Sequence, residues 1–230
     1  SEIWRLSNLT PGRRTRIGLA TWDCLALAQT LHRETGGAFD VTVGPLMKLR
    51  KNADGSPRTP HPDEIAEIRQ LTGSHLFEMH EEDLRFTVHA SPMVFDLGAI
   101  GKGYALDQAV NVLHDWGIHN ALLNAGDSTL LGLGAPSGES ARRARLAEGH
   151  DGRQVELVDS AVSGSGIAEQ GAHIMDPRTL QPVPVSSERR YATAPTAALA
   201  DGLSTAFMVL TGSEIAALCE RNPGVACLSL

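Results

Sequence analysis

Cysteine is scarce in this chain and unpatterned where it occurs. Cys24, Cys219 and Cys227 are odd in number and far apart, and without CxxC spacing they point to neither a disulfide framework nor a zinc site. Long apolar runs are missing too. None approaches the roughly 18–20 residues of a membrane span, and the best candidate, Ala192 to Leu210, is interrupted by Asp201. Positive charge is in deficit: the formal charge is −7, and apart from pairs such as Arg13-Arg14 and Arg142-Arg143 the basic residues are scattered, which argues against a nucleic-acid surface. The low-hydrophobicity, high-charge signature of disorder is also lacking, because 42% of residues are apolar and 20% charged. No internal repeat, low-complexity tract or linker interrupts the 230 residues, a length that suits one large domain or two small ones sharing a core. The chain starts at Ser1 with no Met, signal peptide or lipid-attachment Cys, so the sequence assigns it no compartment.

What is present centres on Phe95 to Thr129. Met93 to Leu97 reads as a short buried strand, and Gly98, Gly101 and Gly103 as a turn. A helix follows from about Tyr104, with Leu106, Ala109, Val110 and Leu113 at i, i+3, i+4 and i+7. Gly117 ends it, and Ile118 to Leu123 forms the next strand. A glycine turn at a helix N-terminus offers N–H groups and a positive dipole end to an anion, and Lys102 adds a cation, so a phosphate-bearing ligand is the first guess. A plain tight turn is the equal alternative. Neither named phosphate motif fits. Asp96 and Gly103 stand where a P-loop needs Gly and Ser or Thr, and the glycine spacing is not that of the dinucleotide fingerprint.

Elsewhere, Leu19 to Glu34 reads as a helix with Leu25, Ala28 and Leu31 inward, stopped by Gly36-Gly37. In the loop Thr35 to Leu46, Asp40 and Thr42 are placed to cap a short helix. Pro62 to Leu71 is a short helix, and Leu76 to Met79 with Leu84 to Val88 form an antiparallel hairpin around Glu81 to Asp83. Leu130 to His150 is weakly patterned, its arginines a solvated strand or loop face. Arg153 to Val158 alternates as a strand. Ser160 to Gly166 reads as a plain loop, or as backbone that a ligand approaches closely. Gly171 to Pro177 is a strand running into an Asp-Pro turn.

Pro195 and Thr196 start a last helix with the stripe Leu199, Leu203, Ala206, Phe207 and Leu210. Asp201 and Thr205 share its opposite face. They read either as the wet side of an amphipathic helix or as two hard oxygen donors suited to Mg²⁺. Gly202 inside the helix costs about 1 kcal/mol relative to Ala, which points to a close approach there. The hairpin and the clustered late strands favour an α+β fold over a doubly wound α/β one. Mixed, largely antiparallel strands pack with helices in a single domain over residues 1–230, with room for two lobes around a ligand cleft.

In order along the chain, TGGAFDVTVGPL, DLGAIGKGYALD, NAG followed by Asp127, AVSGSG, HIMDPRT and APTAALADGLSTAFMVL resemble the successive motifs of the ApbE family, the FAD:protein FMN transferases. The likeness runs from about Ser1 to near the C-terminus, and the ordered set is far more specific than any one motif. It implies a Mg²⁺-dependent enzyme that binds FAD, cleaves its diphosphate, transfers FMN to a Thr hydroxyl of a partner flavoprotein and releases AMP. Some members instead hydrolyse FAD to FMN and AMP; a flavin-binding protein without turnover is the remaining reading. The family is often exported and membrane-anchored in bacteria. By motif matching, the metal lies between the Ala99 carbonyl and the side chains of Asp201 and Thr205. Lys102 lies at the diphosphate, beside Gly103 and Tyr104. Ala38, Phe39, Asp40, Asn124, Gly126, His173 and Ile174 contact FAD, and His173 and Lys102 are the catalytic groups. The chain departs from the pattern in having one glycine fewer after Asn124, Leu180 where glycine is usual, and a short segment between Ala135 and Gly171. The family's N-terminal strand and helix, which precede the motif at Ser1, are expected to be missing.

Overall fold

In the computed structural model, residues 1–229 are described apart from 51, 53, 55, 57, 127, 147–153, 166–173 and 185–188. The elements begin with α1 (Glu2–Leu6), β1 (Thr15–Arg16), α2 (Leu19–Glu34), α3 (Gly44–Leu49), α4 (Pro62–Arg69), β2 (Phe77–His80), β3 (Arg85–Val88) and α5 (Gly101–Asp115). The strands β4 (Ala121–Ala125), β5 (Thr129–Leu133), β6 (Arg142–Arg145), β7 (Gln154–Leu157), β8 (Ser160–Ser165), β9 (Met175–Asp176), β10 (Gln181–Pro182) and β11 (Arg190–Ala194) follow. The chain closes with α6 (Ala197–Val209), α7 (Gly212–Arg221) and β12 (Ala226–Ser229). All strand pairings among the described residues are antiparallel, and the fold is α+β. Two compact units divide it, Ser1–Leu97 with Ala172–Val183, and Gly98–Gly171 with Pro184–Leu230. No helix among the described residues is long and apolar enough to cross a membrane.

The first unit carries α2 where the apolar spacing put it, with Cys24, Leu25, Ala28 and Leu31 buried. Gly36 and Gly37, at φ 58° and 81°, then reverse the chain, a conformation that costs glycine little. β2 and β3 form the expected hairpin, and β1 adds to β3. Phe77, Phe86 and Phe95 cluster there with ring centroids 5.2 to 5.6 Å apart. Met93 to Leu97 is not a strand. Met93 and Phe95 are buried as their apolar character demands, but the segment joins no ladder, and the Asp96 N–H donates to the Val41 carbonyl at 2.7 Å. Asp40 caps no helix either, because α3 starts after Val43 without a side-chain cap. The β9–β10 hairpin turns at Leu180, whose φ of 60° lies in the region that favours glycine; its side chain is retained in a small core with Leu46 and Met175.

The second unit is organised by a five-stranded sheet in the order β12-β11-β8-β5-β4. Ser160–Ser165, read from sequence as a loop, is its middle strand. It pairs with β11 on one side and β5 on the other, so that Ser163 faces Ala192 and Thr129 across the ladders. Small side chains there answer to packing: a Cβ on Gly164 would come within 2.5 Å of the Tyr191 ring. The weakly patterned stretch after Leu130 also holds real strands, β5 and β6, the latter paired with β7 and turning Ala144 inward between exposed arginines. α5 and α6 pack on each other and on the sheet around Leu106, Leu131, Leu133, Ala161, Ala194, Ala197 and Ala200. α5 starts at Gly101 rather than Tyr104, and β4 at Ala121 rather than Ile118. α6 has no wet face at Asp201, whose relative exposure is 3%, because α5 and the strands β8 and β11 pack around the helix.

Candidate functional site

α5 and α6 meet near their N-termini, which are finished by each other's carboxylates. Of the first N–H groups of α6, Ala197 donates to Asp107 Oδ1 at 2.8 Å, Ala198 to Asp107 Oδ2 at 2.9 Å, and Leu199 to the Thr196 hydroxyl at 3.3 Å. In return the Gly103 N–H, in the first turn of α5, donates to Asp201 Oδ2 at 3.1 Å. Helix starts leave such donors without intrahelical partners, so each carboxylate removes a desolvation cost. Burial holds the Asp107 carboxyl above its usual range, with its two backbone hydrogen bonds acting against that rise. The approach depends on Gly103, where a Cβ would overlap the Ala197 carbonyl group and lie 2.7 Å from Ala198 Cα.

Around Asp201 the polar groups converge. Lys102 Nζ lies 3.4 Å from Asp201 Oδ1 and donates to the Gly98 carbonyl at 3.0 Å. The hydroxyls of Thr129 and Ser163 lie 3.4 and 3.3 Å from the same Oδ1, and 2.9 Å from each other. One turn along α6, the Thr205 hydroxyl lies 3.1 Å from Ser165 Oγ, which is 2.8 Å from Ser204 Oγ. β5, β8 and the two helices therefore bring a cation, a buried carboxylate and a row of hydroxyls to one place. Among the described residues no group of three or more His, Cys, Asp or Glu could hold a metal. One buried carboxylate beside hydroxyl oxygens is instead the donor set of an ion such as Mg²⁺, which takes hard oxygens and keeps positions for water and ligand phosphate. Asp201 and Thr205 are the residues that could hold such an ion.

In the first unit, the GGAFD turn is built around His32 and Asp40. His32 Nδ1 lies 3.0 Å from the Phe39 carbonyl and 3.2 Å from Asp40 Oδ2. Both neighbours only accept, so Nδ1 carries a proton. The remaining capacity of Asp40 is spent on Thr42 N–H at 2.8 Å, Thr42 Oγ1 at 2.7 Å and Ser74 N–H at 3.0 Å. The hydrogen bond to Asp40 raises the His32 pKa, and burial works against it. Burial alone would lift the Asp40 carboxyl, but the hydrogen bonds from His32 and Thr42 outweigh it and leave the pKa lowered.

The sequence-expected residues therefore fall in two groups. Lys102, Gly103 and Asp201 touch directly, and Lys102 Cδ lies 4.0 Å from where a Cβ on Gly126 would be. Thr205 joins them through Ser165 and Ser204, whose hydroxyl donates to the Asp201 carbonyl. Ala99 lies in the turn that enters α5, Tyr104 in the next turn of that helix, and Asn124 on the exposed side of β4. Ala38, Phe39, Asp40 and Ile174 belong to the first unit and are buried. His173 and Asp127 lie outside the described residues. Asp107, Thr129, Ser163 and His32 were not singled out from sequence. Asp107 carried a signal, five residues after Lys102 and inside the matched motif. The hydroxyls of Thr129 and Ser163 carried none without the strand register.

An ApbE family model matches residues 1–229. The FAD:protein FMN transferase of Klebsiella pneumoniae is 29% identical over 243 residues, covering 98% of this chain and 69% of that protein. The corresponding protein of Salmonella typhimurium is 28% identical over 227 residues, covering 91% of this chain and 64% of its own length. Among solved structures, Pseudomonas stutzeri flavinyl transferase ApbE in its apo form superposes with a TM-score of 0.87 at 27% identity, over 100% of this chain and 74% of that one. The ApbE protein of Thermotoga maritima does so with a TM-score of 0.85 at 26% identity, over 100% and 78%. The chain thus spans about two-thirds of the length of those curated relatives.

Proposed function

The chain belongs to the ApbE family, and from that premise we propose that it transfers FMN from FAD to a Thr hydroxyl of a partner flavoprotein, releasing AMP, with Mg²⁺ held at Asp201 and Thr205. The observation that carries the proposal is the meeting of Lys102 with the buried Asp201 carboxylate at the start of α5. FAD presents a doubly charged diphosphate, and that corner supplies a side-chain cation and a helix N-terminus to receive it. In the reaction the bond between the two phosphorus centres' bridging oxygen and the FMN phosphorus breaks, a bond from the Thr oxygen to that phosphorus forms, and the Thr proton leaves to a base. Lys102 stabilises negative charge on the departing AMP phosphate. Asp201 and Thr205 would hold Mg²⁺, which would add charge stabilisation at the phosphates. His173 is the group that the family likeness assigns to the proton. The family likeness assigns Ala38, Phe39 and Asp40 of the GGAFD turn to FAD as well.

The relatives' names support transfer over simple binding. Incubation of the purified protein with FAD, Mg²⁺ and a Thr-bearing acceptor tests it, with AMP and acceptor-bound FMN as the products to measure. AMP with free FMN and no acceptor labelling would assign the chain to FAD hydrolysis instead. No AMP under either condition would overturn the proposal and leave a flavin-binding protein.

A further inference from the structure

The ion pair at the site is lopsided. The Asp201 side chain is 5% exposed and fixed by the Gly103 N–H, whereas the Lys102 side chain is 41% exposed. One partner cannot move. The other is an ammonium on a flexible four-carbon stem with a path to solvent. The oxygen that Lys102 approaches, Asp201 Oδ1, is also the one more open to a divalent ion. It is the less committed of the two, because Oδ2 takes the backbone N–H at 3.1 Å while Oδ1 has only long contacts from hydroxyls. Those hydroxyls have other partners: Ser163 Oγ lies 3.1 Å from the Ser128 carbonyl and 2.9 Å from Thr129 Oγ1.

We propose that Lys102 competes with the metal for Asp201. Its ammonium neutralises the buried carboxylate until a divalent ion takes Oδ1, and it then swings to the ligand's phosphates. This rests on the reading of Asp201 and Thr205 as Mg²⁺ donors. An unpaired charge at Asp201 would be costly in so buried a place, and Lys102 removes that cost in the absence of metal. The same contact lowers the intrinsic affinity for Mg²⁺, since binding must first break it. Metal and diphosphate binding thereby become mutually dependent. The ion frees the ammonium that the diphosphate uses, the diphosphate draws away the ammonium that blocks the ion, and linkage makes the two effects equal.

Isothermal titration of the whole protein with Mg²⁺ alone, without nucleotide, separates this from a lysine that acts on the ligand only. Lys102→Met should bind Mg²⁺ about tenfold more tightly than wild type, the equivalent of about 1.4 kcal/mol, while Lys102→Arg should stay near wild type. In thermal unfolding, Lys102→Met should start lower than wild type and gain more from saturating Mg²⁺. With ADP present as a diphosphate probe, the advantage of Lys102→Met should shrink. Lys102→Gln, neutral but polar, serves if Lys102→Met does not fold. Equal or weaker Mg²⁺ binding by the neutral variants overturns the competition while leaving the metal site standing. No Mg²⁺ binding by wild type or variants overturns the metal reading itself, and the competition with it.

Discussion

Asp107 and Asp201 cap each other's helices. Asp107, on α5, takes the first two N–H groups of α6, and Asp201, on α6, takes the N–H of Gly103 in the first turn of α5. The exchange fixes where the helix bearing Lys102 sits against the helix bearing Asp201 and Thr205, so Asp107 helps to set the geometry of the site.

Asp107→Ala should cost about 1–2 kcal/mol of stability, the usual loss for a helix cap. Asp107→Asn, which keeps one oxygen acceptor, should cost less. Urea unfolding of both variants checks the order, and equal losses would show that the two hydrogen bonds contribute little.

Gly103→Ala places a methyl group against the backbone of Ala197 and Ala198, which cannot rotate aside as a side chain can. Overpacking of this kind costs about 1–3 kcal/mol. Because the strain lies between Lys102 and Asp201, AMP release should fall more than the stability loss explains. Full activity in a destabilised Gly103→Ala would contradict that.

Asp201→Ala removes the proposed anionic metal donor, so its AMP release in saturating Mg²⁺ should drop to the level seen without Mg²⁺. It also strips the Gly103 N–H of its acceptor, at a cost of about 1–3 kcal/mol. Asp201→Asn restores an acceptor but not the charge. It should recover the stability and not the metal response, which a Mg²⁺ titration of both variants will read.

The His32–Asp40 pair predicts a stability window. The His32 pKa is raised above its ordinary 6.5, so its contribution is complete below that value and is lost as pH rises through the higher folded pKa. The Asp40 pKa is lowered below 3.8, so its contribution is complete above that value and is lost as pH falls through the lower folded pKa. Between 3.8 and 6.5 both are present. Urea midpoints followed across pH should decline on the alkaline side, and His32→Gln should flatten that decline.

Periodicity carried most of the fold. α2 emerged at Leu19–Glu34 because Leu25, Ala28 and Leu31 repeat at helical spacing before a glycine pair, and the β2–β3 hairpin because its apolar residues alternate about an acidic turn. It failed where side chains are small or burial is one-sided. β8 reads SAVSGS, too short in bulky residues to show alternation, yet it lies between β11 and β5. Met93 to Leu97 has the apolar character of a strand, but its burial comes from the phenylalanine cluster rather than from a ladder. The corner at Asp201 was half legible. Lys102, Asp201 and Thr205 followed from chemistry and motif, whereas a wet face for Asp201 assumed that α6 has only one packed side. Its circuit of Ala197, Ala198, Ala200, Gly202 and Ser204 was the available clue, since residues that small let neighbours approach from every direction.

The contact of Gly103 with Ala197 is main chain on main chain, and this insulates the spacing of the two helix ends from the side-chain repertoire around them. Substitutions on the outer surfaces of α5 or β4 therefore leave the distance between the ammonium of Lys102 and the carboxylate of Asp201 in place. The surface and the buried corner are, in that sense, separately adjustable. The outer faces are free to change, provided the glycine stays.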